Sequence, residues 1–360
     1  MEPAGLRDLI ASLLPGSRVV AVEPLAPDVS ARDSTSKAAG YGAPLRITVA
    51  DSEGEEQLLV FRTATANDFG HDRRADRAEQ MLLSYDTFGR IPRHVPALDV
   101  GAIRADGRLI SVADCGEFYL LTAFVPGQLY AEDLRRIARE EAALPRDIER
   151  CEILASYLVS LHAERGGRRA AYARAVRDLV GHGEGIFGIV DGYPQDVPAA
   201  SLERLRGIEG RAWEWRWRLR DRPRRLARIH GDFHPFNVLF DEHGSLALLD
   251  TSRGSLGDPA DDVVCMAINY VLFSLDRAGA WPRGLGVLWR TFWGAYLAES
   301  GDEELLETAA PYLAWRALVL ACPVWYPSMS PAGRDRLLGF AERALEAPRF
   351  DPTWANDLFR

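Results

Sequence analysis

The order of apolar and polar residues predicts two parts of different character. After a helix over residues 6–14, the first third of the chain consists mainly of short alternating or apolar runs bounded by turn residues, which is typical of strands. A helix over residues 72–85 interrupts these runs. The predicted strands cover residues 18–25, 45–50, 57–63, 97–104, 109–114 and 118–124.

Beyond Pro126-Gly127 the apolar residues follow helical spacing instead. The predicted helices cover residues 131–140, 147–164, 201–220, 258–275, 281–300, 303–320 and 331–346. A strand-rich part followed by a helix-rich part favours an α+β, bilobal protein over a single uniform layer structure. We therefore expect a first domain over residues 1–125 and a second over residues 126–360.

One segment combines polar chemistry with a clear local structure. Residues 228–240 read Arg-Ile-His-Gly-Asp-Phe-His-Pro-Phe-Asn-Val-Leu-Phe, so Asp232 comes five residues before Asn237 and an apolar run follows. A polar turn leads into a second apolar run that ends in Asp250. The pattern predicts a loop and a tight hairpin that bring these three side chains to one end of a strand pair. Two carboxylates and an amide there suit Mg²⁺ and a base.

This spacing resembles the protein-kinase pattern of a catalytic-loop Asp, an Asn and a metal-binding Asp on the next strand. His-Gly-Asp replaces His-Arg-Asp, and residues 257–262 read Gly-Asp-Pro-Ala-Asp-Asp. In both features the chain resembles the aminoglycoside phosphotransferase and choline-kinase-like family of small-molecule kinases. The resemblance implies a protein-kinase-like fold, with a small antiparallel-sheet N-lobe that binds nucleotide and a larger helical C-lobe that holds the catalytic loop and the acceptor.

The resemblance also implies the cofactors and the roles of the central residues. Mg²⁺ and ATP are expected, with GTP possible. Asp232 would be the catalytic carboxylate that accepts the hydrogen bond of the acceptor hydroxyl. Asn237 and Asp250 would hold Mg²⁺ against the phosphates.

The nucleotide side departs from the family pattern. Arg62 stands where the family has a third-strand lysine that anchors phosphates, and Glu79 matches the helix Glu that pairs with that lysine. Arginine is longer and planar, so the exchange is not conservative. Lys37 is an alternative phosphate contact, and we expect the two to share the role. The backbone of Ala123 and Val125 corresponds to the hinge that binds the adenine edge.

Three further features near the catalytic segment have competing interpretations. His230 is a candidate for acid–base catalysis, but we expect it instead to brace the loop from a buried position, with Asp262 as its partner by resemblance. Asp258-Pro259 is typical of a helix start, so Asp258 is interpreted as a cap. Arg253 is expected to contact either a phosphate or anionic substrate, or an acidic side chain at the surface.

Composition excludes several functions. The formal net charge of −9 disfavours a dedicated nucleic-acid binder. Trp213, Trp215 and Trp217 are interleaved with arginines, but alternate residues cannot share one helix face, which favours a helix that covers the core. The four cysteines are far apart in sequence, which argues against zinc or a disulfide framework and favours the cytoplasm. Neither a membrane span nor a signal peptide is expected.

The sequence thus predicts an ATP-dependent phosphotransferase that moves the γ-phosphate to a hydroxyl of a small molecule: an aminoglycoside-like antibiotic, a sugar or an amino alcohol. The alternative is a nucleotide-binding module of the same fold with little or no catalytic activity, since the third-strand lysine is missing. No oligomeric state is predicted.

Overall fold

The structure, a computed structural model, describes residues 4–25, 44–251 and 253–360. The chain divides into two compact units, Met1–Thr122 and Ala123–Arg360. The first contains small antiparallel sheets and the second is mainly helical. The predicted α+β class is confirmed.

The first unit is built on a three-stranded antiparallel sheet with the strand order β1-β2-β3. Its strands are β1 (Arg18–Pro24), β2 (Leu45–Ala50) and β3 (Glu56–Phe61). Alternate residues of β2 point inward, so Ile47 and Val49 are buried. They pack with Leu6 and Ile10 of helix α1 (Leu6–Leu13) in a small apolar core. The sheet and helix match the predicted elements closely.

The rest of the first unit contains helix α2 (Arg74–Phe88) and a short hairpin of β4 (Gly101–Ile103) and β5 (Leu109–Ser111). These two strands pair only with each other, and both are shorter than predicted. The strand predicted over residues 118–124 is wrong, because this segment has no regular secondary structure and its side chains are exposed. An apolar run becomes a strand only when a neighbour pairs with its backbone, and no strand of the described chain does so.

The second unit is organised around helix α8 (Ala260–Leu272), whose residues are buried almost without exception. Because this helix is apolar on all sides, it must be surrounded by other helices. The remaining helices are α3 (Tyr130–Glu140), α4 (Pro145–His162), α5 (Arg169–Gly181), α6 (Ile186–Asp191), α7 (Leu202–Leu219), α9 (Gly286–Ser300), α10 (Ala309–Ala321) and α11 (Pro331–Glu346). Helices α9 and α10 pack directly on α8. Helices α5 and α6 were not predicted.

Strands of two small sheets of the second unit lie on either side of residues 229–237 in the chain. Strand β6 (Gln128–Leu129) pairs with β8 (Val238–Phe240), and β8 pairs with β9 (Leu246–Leu248). Strand β7 (Ala227–Arg228) pairs with β10 (Leu256–Gly257). The hairpin predicted from the sequence is therefore present as β8 and β9.

A buried ion pair ties the start of α8 to the rest of this unit. The Asp258 carboxylate accepts two hydrogen bonds from Arg225, at 2.8 and 2.9 Å, and one from the Tyr172 hydroxyl at 3.0 Å. It also accepts a hydrogen bond from the Ala260 backbone N–H at 3.0 Å, which is the contact expected of a cap, although the helix begins at Ala260, one residue after the proline predicted to be its first. Arg225 reaches Asp302 at 2.8 Å as well. Both partners of the pair are almost completely buried. If one partner is lost, solvent cannot readily solvate the charge of the other.

Asp258→Asn should therefore destabilise the protein strongly, by about 3–5 kcal/mol, because it leaves the Arg225 charge buried without its full partner. Burial opposes ionisation, but Arg225 more than compensates and lowers the pKa of Asp258 in the folded state. The stabilisation is thus present above roughly pH 4 and is lost as the pH falls. Urea unfolding should show the gap between wild type and variant narrowing from pH 7 towards pH 3. Asp357→Asn, in an exposed ion pair with Arg343, is the control and should unfold like wild type.

Candidate active site

Residues 229–237, which the family resemblance predicts to be catalytic and which we call the catalytic loop, connect β7 to β8. This connection includes a backbone conformation that requires glycine. Gly231 has a φ of 83°, which side chains with a Cβ rarely adopt. A Cβ at this position would also lie 3.2 Å from the backbone oxygen of Gly254. The glycine of His-Gly-Asp therefore lets the loop pass close to the segment that follows Asp250.

The loop is held by the Asp262 carboxylate, in the first turn of α8. Oδ2 accepts a hydrogen bond from the His230 backbone N–H at 2.7 Å, and Oδ1 accepts one from the Gly231 N–H at 2.8 Å. Asp262 was expected to pair with the His230 imidazole. This expectation is wrong, because His230 contacts Asp262 through its backbone N–H and not through its imidazole. The imidazole that contacts Asp262 is His162, with Nε2 3.2 Å from Oδ2. A carboxylate has room for both loop amides and one side-chain donor.

His162 extends this arrangement across the helices. It ends α4, is buried, and places Nδ1 2.8 Å from the hydroxyl of Tyr296 in α9. Burial would raise the pKa of Asp262, but the His162 hydrogen bond and the two loop amides hold it below its ordinary value. Asp262 is therefore ionised, and its charge-assisted hydrogen bonds are stronger than neutral ones.

Asp232 is partly buried in this loop, and its carboxylate lies between the Arg316 guanidinium and the His234 imidazole. Arg316 Nη1 donates to Oδ1 at 3.0 Å, and His234 Nε2 lies 3.4 Å from Oδ2. Burial alone would raise the pKa of Asp232, but the His234 hydrogen bond and the Arg316 charge lower it well below its usual range. Asp232 is thus a carboxylate at neutral pH and can accept a hydrogen bond.

Asn237 joins Asp232 to the strand that ends at Asp250. Its amide Nδ2 donates to the Asp232 backbone oxygen at 3.1 Å and lies 3.4 Å from both Asp232 Oδ2 and the Asp250 backbone oxygen. The hairpin register places Asn237 opposite Leu249, whose N–H donates to the Asn237 carbonyl at 2.9 Å. The structure therefore brings the three predicted residues to one end of the hairpin, and Asn237 keeps its Oδ1 for another ligand.

Amide and carboxylate oxygens are ligands of the kind that Mg²⁺ accepts in proteins. Asp250 is exposed, and its φ of 38° is uncommon for a residue other than glycine. Such conformations are often retained at functional sites. Within the described ranges no group of three His, Cys, Asp or Glu side chains could hold a metal. The protein would thus supply one carboxylate and one amide, and Mg²⁺ commonly takes its other ligands from phosphates and water.

Among the described residues, those predicted to bind nucleotide are not joined by contacts such as those at the end of the β8–β9 hairpin. β3 ends at Phe61, so Arg62 lies just after the strand rather than within it, and its side chain is exposed. Glu79 in α2 is also exposed, and the hydrogen bonds and ion pairs of the described chain do not join it to Arg62. Lys37 lies outside the described residues. Ala123 and Val125 lie in an exposed segment without regular secondary structure.

Sequence reasoning missed a second layer of charge behind Asp232. Arg316, on α10, also lies 3.4 Å from Oδ1 of the buried Asp261, which accepts a hydrogen bond from Arg253 at 3.1 Å. The two guanidinium groups lie 4.1 and 4.2 Å from the Trp315 ring centre. Arg253 pairs with an acidic side chain, as the second of its two interpretations has it, but this acid, Asp261, is buried rather than at the surface. A single arginine in the otherwise apolar run of α10 was the sequence signal for this layer.

A cavity of about 190 Å³ opens beside Asp232. Its polar lining includes His234, Asn269 and Arg316, and its apolar lining includes Phe236 and Ile268. A larger cavity of about 620 Å³ lies beside α7, away from the catalytic loop. Of these two cavities, the smaller is the one that Asp232 lines.

The tryptophan-rich stretch of α7 is mainly structural. Trp215 is buried and donates to the Leu345 backbone oxygen at 2.9 Å, whereas Trp213 and Trp217 lie together on the outer face. The guanidinium of Arg216 lies over both outer rings. This arrangement agrees with the predicted helix that covers the core.

Comparison with known proteins identifies the chain. The family model described as the phosphotransferase enzyme family matches residues 73–307, which is more than half of the chain. The chain belongs to the phosphotransferase enzyme family. The predicted family is therefore confirmed, and the match includes the catalytic loop, the β8–β9 hairpin and the start of α8. No helix described for this phosphotransferase is long and apolar enough to cross a membrane.

Solved structures resemble this phosphotransferase over most of its length but only loosely. A glucosamine kinase in complex with glucosamine, ADP and inorganic phosphate is 15% identical, with 96% of this chain and 99% of that chain covered and a TM-score of 0.42. The choline kinase LicA from Streptococcus pneumoniae is 14% identical, with 94% and 97% covered and a TM-score of 0.34. An aminoglycoside-3'-phosphotransferase of type VIII is 20% identical, with 85% and 94% covered and a TM-score of 0.34. No curated protein matches the chain.

Asp262→Asn tests the support of the catalytic loop in this phosphotransferase. The amide side chain of the variant would accept a hydrogen bond from one loop N–H through its oxygen, but its NH₂ group would face the other N–H, and two donors cannot bond. We therefore expect the free energy of unfolding to fall by about 2–4 kcal/mol. Amide hydrogen exchange of His230 and Gly231 should become faster than in wild type. Asp276→Asn, in a hydrogen bond with Ser330 at the protein surface, is the control. Unchanged protection of the two loop amides in Asp262→Asn would contradict this account.

Proposed function

We propose that the protein is an ATP-dependent phosphotransferase that transfers the γ-phosphate to a hydroxyl group of a small molecule. The observation that carries this proposal is the arrangement of Asp232, Asn237 and Asp250 at the open end of the β8–β9 hairpin, within a chain of the phosphotransferase family. Acceptor classes to be tested are aminoglycoside-like antibiotics, sugars and amino alcohols.

Asp232 would orient the acceptor hydroxyl in this reaction. The carboxylate is ionised because its pKa is lowered well below the usual range, so it can accept the hydroxyl hydrogen bond and later its proton. A carboxylate with a low pKa is a weak base. Phosphoryl transfer through a loose transition state needs an aligned nucleophile more than a strong base, and orientation is therefore the main contribution expected of Asp232.

Asn237 and Asp250 would hold Mg²⁺ through the amide Oδ1 and the carboxylate. When bound, the ion neutralises the charge that spreads over the transferred phosphoryl group. Asn237 has a second task that needs no metal, since its Nδ2 contacts both the Asp232 backbone oxygen and the Asp250 backbone oxygen. It keeps the acceptor-orienting residue and the strand end of Asp250 in register.

The nucleotide contacts form the remaining part of the proposal. Arg62 and Lys37 would share the phosphate contact, with Glu79 as the partner expected by resemblance, and the backbone of Ala123 and Val125 would bind the adenine edge. GTP is the second nucleotide to be tested, and a cytoplasmic location stays a prediction. No observed contact favours the alternative of a nucleotide-binding module without catalysis.

Asp232→Asn should abolish most of the turnover while leaving the fold in place. It removes the charge that aligns the acceptor hydroxyl, and we expect kcat to fall by about 100-fold or more. The measurement is Mg²⁺-dependent consumption of ATP or GTP with pools of aminoglycosides, sugars, amino alcohols and nucleosides. Asp241→Asn, in the exposed turn of the same hairpin, is the control and should turn over like wild type. Equal turnover of Asp232→Asn and wild type would rule out the role of Asp232, and nucleotide binding without turnover by wild type would favour the binding module.

Asp250→Asn tests the metal site separately. Replacing the single carboxylate ligand by an amide weakens Mg²⁺ binding, and each 1.4 kcal/mol of lost binding corresponds to about a tenfold higher metal concentration. The Mg²⁺ concentration for half-maximal turnover should therefore rise by about tenfold or more, with partial recovery at saturating Mg²⁺. Titration of Asp241→Asn provides the baseline. An unchanged Mg²⁺ requirement would exclude Asp250 as a ligand.

A further inference from the structure

Arg316 lies deep in the second unit, in a helix that is otherwise apolar. The neighbouring residues of α10 are buried, and only 11% of the Arg316 side chain is exposed. A guanidinium in such a place is costly unless carboxylates satisfy it. Two carboxylates do so, because Nη1 lies 3.0 Å from Asp232 and Nη2 lies 3.4 Å from Asp261.

The second carboxylate connects Arg316 to the segment after Asp250. Asp261 is buried, and its Oδ1 also accepts a hydrogen bond from Arg253 at 3.1 Å. Trp315 contacts both guanidinium groups and is itself fixed by a hydrogen bond from its indole N–H to the Glu184 backbone oxygen at 2.7 Å. A chain of contacts therefore runs from Asp232 through Arg316 and Asp261 to Arg253.

This chain of contacts fixes the directions of the carboxylates, which apolar packing alone would not do. In the segment after the hairpin, Thr251 has only a small side chain, and Arg253 contacts the Trp315 ring. A guanidinium is planar and its donors have fixed directions, so one arginine can set the position of two carboxylates at once. An apolar residue at position 316 would fill the space but would leave the orientation of Asp232 to His234 and Asn237.

We infer that Arg316 is a positioning residue for Asp232, and that through Asp261 and Arg253 it fixes Asp232 relative to the segment that follows Asp250. The inference rests on the proposed function, since it assigns the orientation of the acceptor to Asp232. Arg316 acts through that carboxylate and not on the phosphates. Its loss should thus affect catalysis more than nucleotide binding.

The first experiment compares Arg316→Met and Arg316→Lys with Arg204→Met and Arg204→Lys in the full chain. Arg204 is a matched control because it is also largely buried and paired with two carboxylates, Asp335 and Glu342, on a different surface. A misplaced reacting group costs about 100-fold for an error of about 1 Å, so kcat of Arg316→Met should fall by about 10- to 100-fold. The Michaelis constant for nucleotide should stay unchanged.

The conservative variant separates positioning from stability. Lysine keeps the charge but cannot bridge both carboxylates, so kcat of Arg316→Lys should lie between those of wild type and Arg316→Met. Both Arg204 variants should lose thermal stability with kcat unchanged. Asp261→Asn should lower kcat in wild type but not further in the Arg316→Met background, since both changes break the same chain. Wild-type kcat in Arg316→Met would overturn the inference, as would an equal loss in Arg204→Met.

A crystal structure of Arg316→Met separates this inference from the proposed function. If wild type turns over and Asp232→Asn does not, the proposed function holds and the kinetic comparison decides the inference. If the wild-type protein phosphorylates none of the acceptors, the proposed function fails. The crystal structure of Arg316→Met then still shows whether Arg316 positions the Asp232 carboxylate. We expect the Asp232 carboxylate, left with His234 and Asn237, to take a different orientation from that in wild type. A carboxylate that keeps its wild-type orientation in Arg316→Met would overturn the inference.

Discussion

The hydrogen bonds from the loop backbone to Asp262 are the interaction on which the active site depends. They fix the path of the chain at His230 and Gly231, and every functional group that follows takes its place from that path. Asp262 can hold the loop because it is itself fixed, at the start of the buried helix α8 and against His162. A helix N-terminus favours negative charge, which helps this carboxylate remain ionised in the interior.

The same helix start supplies three buried carboxylates with different tasks. Asp258 binds Arg225 and holds the fold together, Asp261 binds Arg316 and Arg253, and Asp262 holds the loop. Burying three acids within five residues is unfavourable unless each has its own cationic or hydrogen-bonding partners. Here the partners come from separate elements: Arg225 precedes β7, Arg316 lies on α10, and the backbone N–H groups that bind Asp262 belong to the catalytic loop. The charges at the start of α8 therefore also connect these elements to one another.

Sequence reasoning succeeded where the determining interactions are local. The β8–β9 hairpin follows from two apolar runs and a turn, and α11 follows from Ser330, Pro331 and helical spacing, so both were predicted close to their observed bounds. The contacts of the candidate site are different. Arg316 and Asp232 are 84 residues apart, and His162 and Asp262 are 100 residues apart. No local pattern encodes such partners, and the one usable signal, an arginine within the apolar run of α10, was not interpreted as evidence of a buried acid.

The Arg225–Asp258 pair also constrains how this family can change. Loss of Arg225 leaves the Asp258 charge buried without its ion-pair partner, and loss of Asp258 leaves Arg225 with Asp302 as its nearest carboxylate. An apolar pair at both positions would be tolerated, but each single step towards it passes through a poorly folded protein. The two positions are therefore expected to covary across relatives, as arginine with aspartate or as two uncharged residues, with the mixed combinations rare.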